Sequence, residues 1–171
     1  MLIDGVIPAN PRNLDTANAS GSWSRYGIWN PNESYTVSAT GGRLRANFNC
    51  PGTKTRIEID FELDTLDVGF DVYLLATDVL PADVPTQAIA SATAVLTTDL
   101  QTIVFDNVSI PDDYYYICFI NTGSLNRGLA IKAVRAATSY EVTPIITATV
   151  RGYSPEFSDC SIDANITQSI G

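Results

Sequence analysis

The sequence predicts an all-β fold, a two-sheet antiparallel β-sandwich of the jelly-roll kind with an irregular N-terminal arm and a C-terminal extension. Three observations lead there. In Lys54 to Leu63, KTRIEIDFEL, the apolar Ile57, Ile59, Phe61 and Leu63 alternate with Arg56, Glu58, Asp60 and Glu62, the period of a strand with one buried and one wet face. Roughly ten such β-prone runs follow one another at spacings of about 8–14 residues, separated by Gly, Pro and Asx turns, which is the pattern of sandwiches and jelly rolls. No stretch combines helical period with start and stop signals.

Taken in order, residues 1–33 form the arm, 34–138 the sandwich and 139–171 the extension. The arm is rich in Asn, Ser, Gly and Pro, which favours turns. Ser34 to Thr40 is a strand, and Gly41-Gly42 signals a hairpin into a strand from Arg43 to Asn49. Folding that strand against Lys54–Leu63 around Cys50-Pro51-Gly52-Thr53 sets Ala46 opposite Ile57 and Leu44 opposite Ile59. The same register sets Arg45 against Glu58 and Arg43 against Asp60. After Asp64–Asp67 the strand Val68 to Thr77 crosses to the second sheet, because a tight hairpin would face Asp71 with Asp60. Asp78 to Gln87 is a loop. Further strands are expected at Ala88–Thr97, Leu100–Phe105, Asn107–Ile110, Tyr114–Asn121 and Leu129–Ala136, the Tyr114 run as a central strand covered on both faces. In the extension, Val142–Val150 suits an edge strand because of Pro144, Gly152 to Asp159 is loop, and Cys160–Thr167 forms a last short strand.

A chain of 171 residues is long enough to bury a core without disulfide or metal staples. Its net charge of −9 repels phosphate, which speaks against nucleic acid as a partner. Histidine is absent, which removes histidine-based triads and most zinc sites. The N-terminus lacks the features of a signal peptide, and no apolar run approaches the roughly 20 residues of a membrane helix, so the expectation is a soluble chain without a membrane partner. Cys50, Cys118 and Cys160 are odd in number and widely spaced; free, mostly buried thiols are expected, with one bridge open in an oxidising place.

Four aromatics, Trp23, Tyr26, Trp29 and Tyr35, are the candidate ligand-binding residues. They suit a stacking platform for sugar rings, a lid tucked over one end of the core, or an anchor for a neighbouring subunit. Glu58, Asp60 and Glu62 stand about 6–7 Å apart along one face, near the spacing of glycosidase carboxylates, but the arginines around them favour a salt-bridged, solvated face. Asp64, Asp67 and Asp71, or Asp112 and Asp113, have the oxygen ligands that calcium takes, although Asp in turns is usually turn chemistry; no other cofactor is implied. Of Tyr114, Tyr115 and Tyr116, at most two share a surface. No nucleophile–base pair or metal cluster marks an enzyme.

From Tyr35 to about Ala136 the order of features resembles the jelly-roll carbohydrate-binding-module and galactose-binding-like domains, through GGRLRANFN, TRIEIDFEL, GFDVYLLA, IPDDYYYICFIN and LAIKAVRA. That resemblance implies an extracellular glycan-binding module. The acidic, histidine-free, Asn/Thr/Ala-rich composition is also similar to structural and decoration proteins of tailed bacteriophages. That likeness implies a non-catalytic virion component whose partners are other virion proteins or its own copies, with the terminal segments making the contacts.

Overall fold

The computed structural model describes residues 13–65, 69–139 and 156–158. Its strands are β1 (Asn13–Ala17), β2 (Ser24–Ile28), β3 (Tyr35–Val37), β4 (Arg43–Asn49), β5 (Thr53–Leu63), β6 (Phe70–Leu75), β7 (Ala90–Thr93), β8 (Gln101–Ile110), β9 (Tyr114–Asn121), β10 (Arg127–Ser139) and β11 (Glu156–Ser158). They form a six-stranded sheet in the order β2-β1-β4-β9-β6-β7 and a second sheet in the order β11-β10-β5-β8, with β3 also on β10. Every pairing is antiparallel. The all-β sandwich is the fold that the alternation predicts.

The period-2 pattern places the core. Leu44, Ala46 and Phe48 from β4, and Ile57, Ile59 and Phe61 from β5, are buried in one cluster between the sheets. Phe119 on β9 joins the layers, its ring 5.3 Å from Phe61 and 6.2 Å from Phe70, both near edge-to-face. Each such side chain removed from water contributes about 1.5–3 kcal/mol.

Strand neighbours differ from expectation. β4 and β5 are not a hairpin: β4 lies between β1 and β9, and β5 between β10 and β8. Their apolar faces meet across the core instead of side by side, which satisfies the same alternation. Gly52, at φ 94°, permits the corner that carries the chain from one sheet to the other. The Gly41-Gly42 turn likewise crosses between sheets, since β3 pairs with β10. A Cβ on Gly42 would lie 2.4 Å from the Ser38 carbonyl oxygen, so only glycine fits. The crossing expected after β5 is present, and Asp71 pairs with Ile120 and Thr93, away from Asp60.

Other boundaries shift. The arm is not irregular throughout, because β1 and β2 extend the six-stranded sheet beside β4. The two runs on either side of Asp106 form one strand, β8, with Asn107 at φ 55° where its pairing with β5 slips. The Asp78–Gln87 loop contains a 3-10 turn at Pro81–Asp83 and a one-turn helix, α1, at Val84–Gln87. β9 falls on its expected residues and is central in its sheet, but it is not covered on both faces throughout, since Tyr114 is exposed and Tyr116 partly buried. β11 lies in what was expected to be loop, paired with Ala136–Thr138 of β10. The strands expected at 142–150 and 160–167 fall outside the described residues. Cys118 is buried and free, as expected, whereas Cys50 is in a disulfide, the single bridge that the sequence left open. Burial pushes the Cys118 thiol up to about 12, so it is an inert packing group.

Candidate functional site

The four aromatics singled out in the sequence do not form one exposed platform. Trp29 is 6% exposed, lies edge-on to Phe48 at 6.2 Å, and donates its indole N–H to the Ile131 carbonyl at 2.7 Å. Tyr35 is 4% exposed; its hydroxyl accepts from the Asn30 amide at 2.7 Å, and burial first of all raises its pKa. Both close the end of the core, the lid arrangement. Tyr26 is 41% exposed but packs edge-to-face on Tyr35 at 5.4 Å and accepts a hydrogen bond from the Thr36 amide. Trp23 stands apart from these three.

Trp23 belongs to the outer face of the six-stranded sheet. Its indole N–H donates to the Val79 carbonyl at 2.8 Å, and its ring covers the Arg45 guanidinium at 4.3 Å. Tyr116 approaches the same guanidinium at 4.9 Å. Arg45 is thus held by two aromatic rings and by two carboxylates, Asp15 at 3.0 Å and Asp78 at 2.5 Å. Arg25 also pairs with Asp15, at 3.2 Å. Such a set orients every member, because the flat guanidinium stacks on rings while its edge binds carboxylates.

Local sequence explains the layout. In β9 the alternation sends Tyr115 and Ile117 into the main core, and Tyr116, Cys118 and Ile120 to the outer face. Tyr114, two residues from Tyr116, shares that outer side and is 48% exposed. In the register of β4 with β9, Asn49 lies beside Tyr114 and Asn47 beside Tyr116. Burial, then Asp78, raises the Tyr116 pKa. The far half of this face is covered: Leu75, Val79, Val84, Cys118 and Ile120 form a second small core beneath the 79–88 segment. What remains on this face is the exposed Tyr114 with Trp23, Tyr116, Asn47 and Asn49, all partly buried. A hint of it was legible in the tyrosine run of β9; Trp23's partnership with Arg45 was not.

The outer face of the other sheet is built differently. Arg135 forks onto Asp60, with both contacts at 2.8 Å, and reaches Glu58 at 3.0 Å. Arg56 bridges Glu58 and Asp106 at 3.1 and 3.0 Å, and Lys132 lies 3.9 Å from Glu62. The carboxylates are therefore paired, though by Arg135 and Arg56 and not by Arg43 and Arg45. The Arg135 hydrogen bond holds the Asp60 carboxyl below the usual range, against desolvation. Such fixed, neutralised carboxylates do not form a general acid–base pair.

Among the described residues no group of three acidic or thiol side chains is placed to hold a metal. Asp71 accepts from the Thr93 hydroxyl at 3.1 Å, and the Asp64 amide donates to the Gly128 carbonyl at 3.1 Å. Asp67 lies outside the described residues. Asp64 lines an open cavity of about 230 Å³ with Asn32, Glu33, Ser34, Glu62 and Lys132. No described helix is long and apolar enough to cross a membrane.

No protein-family model matches this chain, and no curated protein does. Among solved structures, one titled "CBM4 structure and function" shares 15% identity, with 86% of this chain and 79% of that chain covered and a TM-score of 0.38. At that score the likeness does not bear on function.

Proposed function

We propose that this chain is a non-catalytic carbohydrate-binding module that receives a glycan on the outer face of its six-stranded sheet. One observation carries the reading: Trp23 and Tyr116 are braced about Arg45, with the half-exposed Tyr114 beside them and the Asn47 and Asn49 amides on the neighbouring strand. Aromatic faces take the apolar C–H side of a sugar ring, and amides and carboxylates take its hydroxyls; a rigid sheet holds both in place before the ligand arrives. The disulfide at Cys50 suits an extracellular, oxidising setting. The alternative virion role drew on terminal segments that a lone sandwich does not need, and β1 and β2 are instead integral strands of the sheet.

The test is a glycan array followed by affinity electrophoresis of the wild type, Tyr116→Ala, Tyr114→Ala and Tyr26→Ala. Retention by at least one polysaccharide is expected, weakened about tenfold or more in Tyr116→Ala, a change of about 1.4 kcal/mol, and unchanged in Tyr26→Ala. Retention of the wild type on no polysaccharide overturns the proposal.

A further inference from the structure

Lys54 is fully buried, at 0% exposure, in the corner between β4 and β5. Its ammonium donates to three main-chain carbonyls: those of Cys50, Gly52 at 2.8 Å and Asp112 at 2.5 Å. The Tyr115 ring centroid lies 6.0 Å away, and the Cys50 amide donates to the Asp113 carbonyl at 2.7 Å, closing the corner onto the β8–β9 turn. The strands that meet here belong to both sheets: β4 and β9 to one, β5 and β8 to the other. The left-handed Gly52 is part of the geometry, because its φ of 94° lets the corner wrap around the ammonium.

Three carbonyl oxygens converging on one point, with Asp112 and Asp113 adding negative field, make up the environment a hard cation seeks. Here the cation is covalently attached to the chain. We infer that the Lys54 ammonium is a tethered cation filling an oxygen cage that locks the two sheets together at this end, so that the corner needs no bound metal, and that shortening the side chain exposes a cation-binding site. Burial pulls the Lys54 pKa down to about 8 against the opposing pull of Asp113 and Asp112, so the group still carries its charge at neutral pH. The inference is independent of glycan binding.

The chain has two lysines, Lys54 and Lys132, which simplifies the test. Thermal unfolding of the wild type, Lys54→Ala and Lys54→Met is followed with and without millimolar calcium chloride or ethylammonium chloride. Both variants should melt lower than wild type by about 5 °C or more. Added cation should restore part of the loss in Lys54→Ala, whose cage is vacated. It should do nothing for Lys54→Met, whose side chain fills the cage without charge, or for the wild type. Wild-type melting temperatures in both variants, or the same cation response in the two, overturns the inference. Native-state acetylation of the wild type, read by mass spectrometry, tests the lock even if the variants do not fold. Lys54 should react roughly a hundredfold more slowly than Lys132 until the protein is denatured, and equal rates overturn the inference.

Discussion

The two outer faces of this sandwich use the same strand alternation to different ends. On the five-stranded side, Arg135 and Arg56 knit Glu58, Asp60 and Asp106 into an ionic ladder in which each carboxylate has its cation. On the six-stranded side, a single arginine, Arg45, is clasped by Trp23 and Tyr116 as well as by Asp15 and Asp78. The ladder satisfies itself and offers a ligand little. The aromatic face leaves ring surface and amides partly open beside a neutralised charge, the combination that suits a polar ligand with apolar C–H edges.

The largest expected effect removes both faces together. Phe119 packs against Phe61 and Phe70 between the sheets, so Phe119→Ala should cost about 3–5 kcal/mol in urea unfolding. Loss of glycan retention would accompany it only as the fold is lost. Trp23→Ala separates the faces: losing the Val79 hydrogen bond and the cover over Arg45 should cost about 1–2 kcal/mol, and retention should fall even where the variant is fully folded. Arg135→Met breaks the ladder alone. Those groups are partly exposed, so the loss should be about 1 kcal/mol or less, without change in retention.

A pH scan sharpens the contrast. Asp60 is held below its ordinary carboxylate value in the folded state, so the unfolded chain takes up its proton first as the pH falls. The stability it supplies is present above about pH 4 and is lost as the pH drops through the lowered folded value. Asp60→Asn should flatten the acid limb of the unfolding curve, whereas Trp23→Ala should leave its slope unchanged. The smallest effect on stability is that of Tyr114→Ala: within about 0.5 kcal/mol of wild type, because the ring is half exposed, but with weaker retention.

The fold was legible because strands with one wet face carry their own period. KTRIEIDFEL and YYYICFIN fall on β5 and β9 with hardly an adjustment. Strand partners were less legible. Arg43 and Arg45 match Glu58 and Asp60 in spacing, but register between nearby strands says nothing about whether the turn between them stays in one sheet, and Gly52 serves either geometry. Arg45 finds Asp15 and Asp78 instead, at sequence separations of 30 and 33, which no local pattern reveals. β1, NLDTA, has a single buried apolar residue, Leu14, so it lacked the alternation that marks its neighbours. Among the aromatics the alternatives stayed open for a related reason. Composition cannot tell a tryptophan that plugs the core, as Trp29 does, from one that lies on a sheet face, as Trp23 does.

That difference between the two tryptophans supplies the most direct measurement. Trp29→Phe leaves Trp23 as the chain's sole tryptophan, and its fluorescence is followed while soluble polysaccharides retained on the array are titrated in. A saturable change in Trp23 emission, with the same midpoint as the heat of binding, is the predicted result. Heat of binding with an unchanged Trp23 signal would place the ligand elsewhere and contradict the assignment of the outer sheet face.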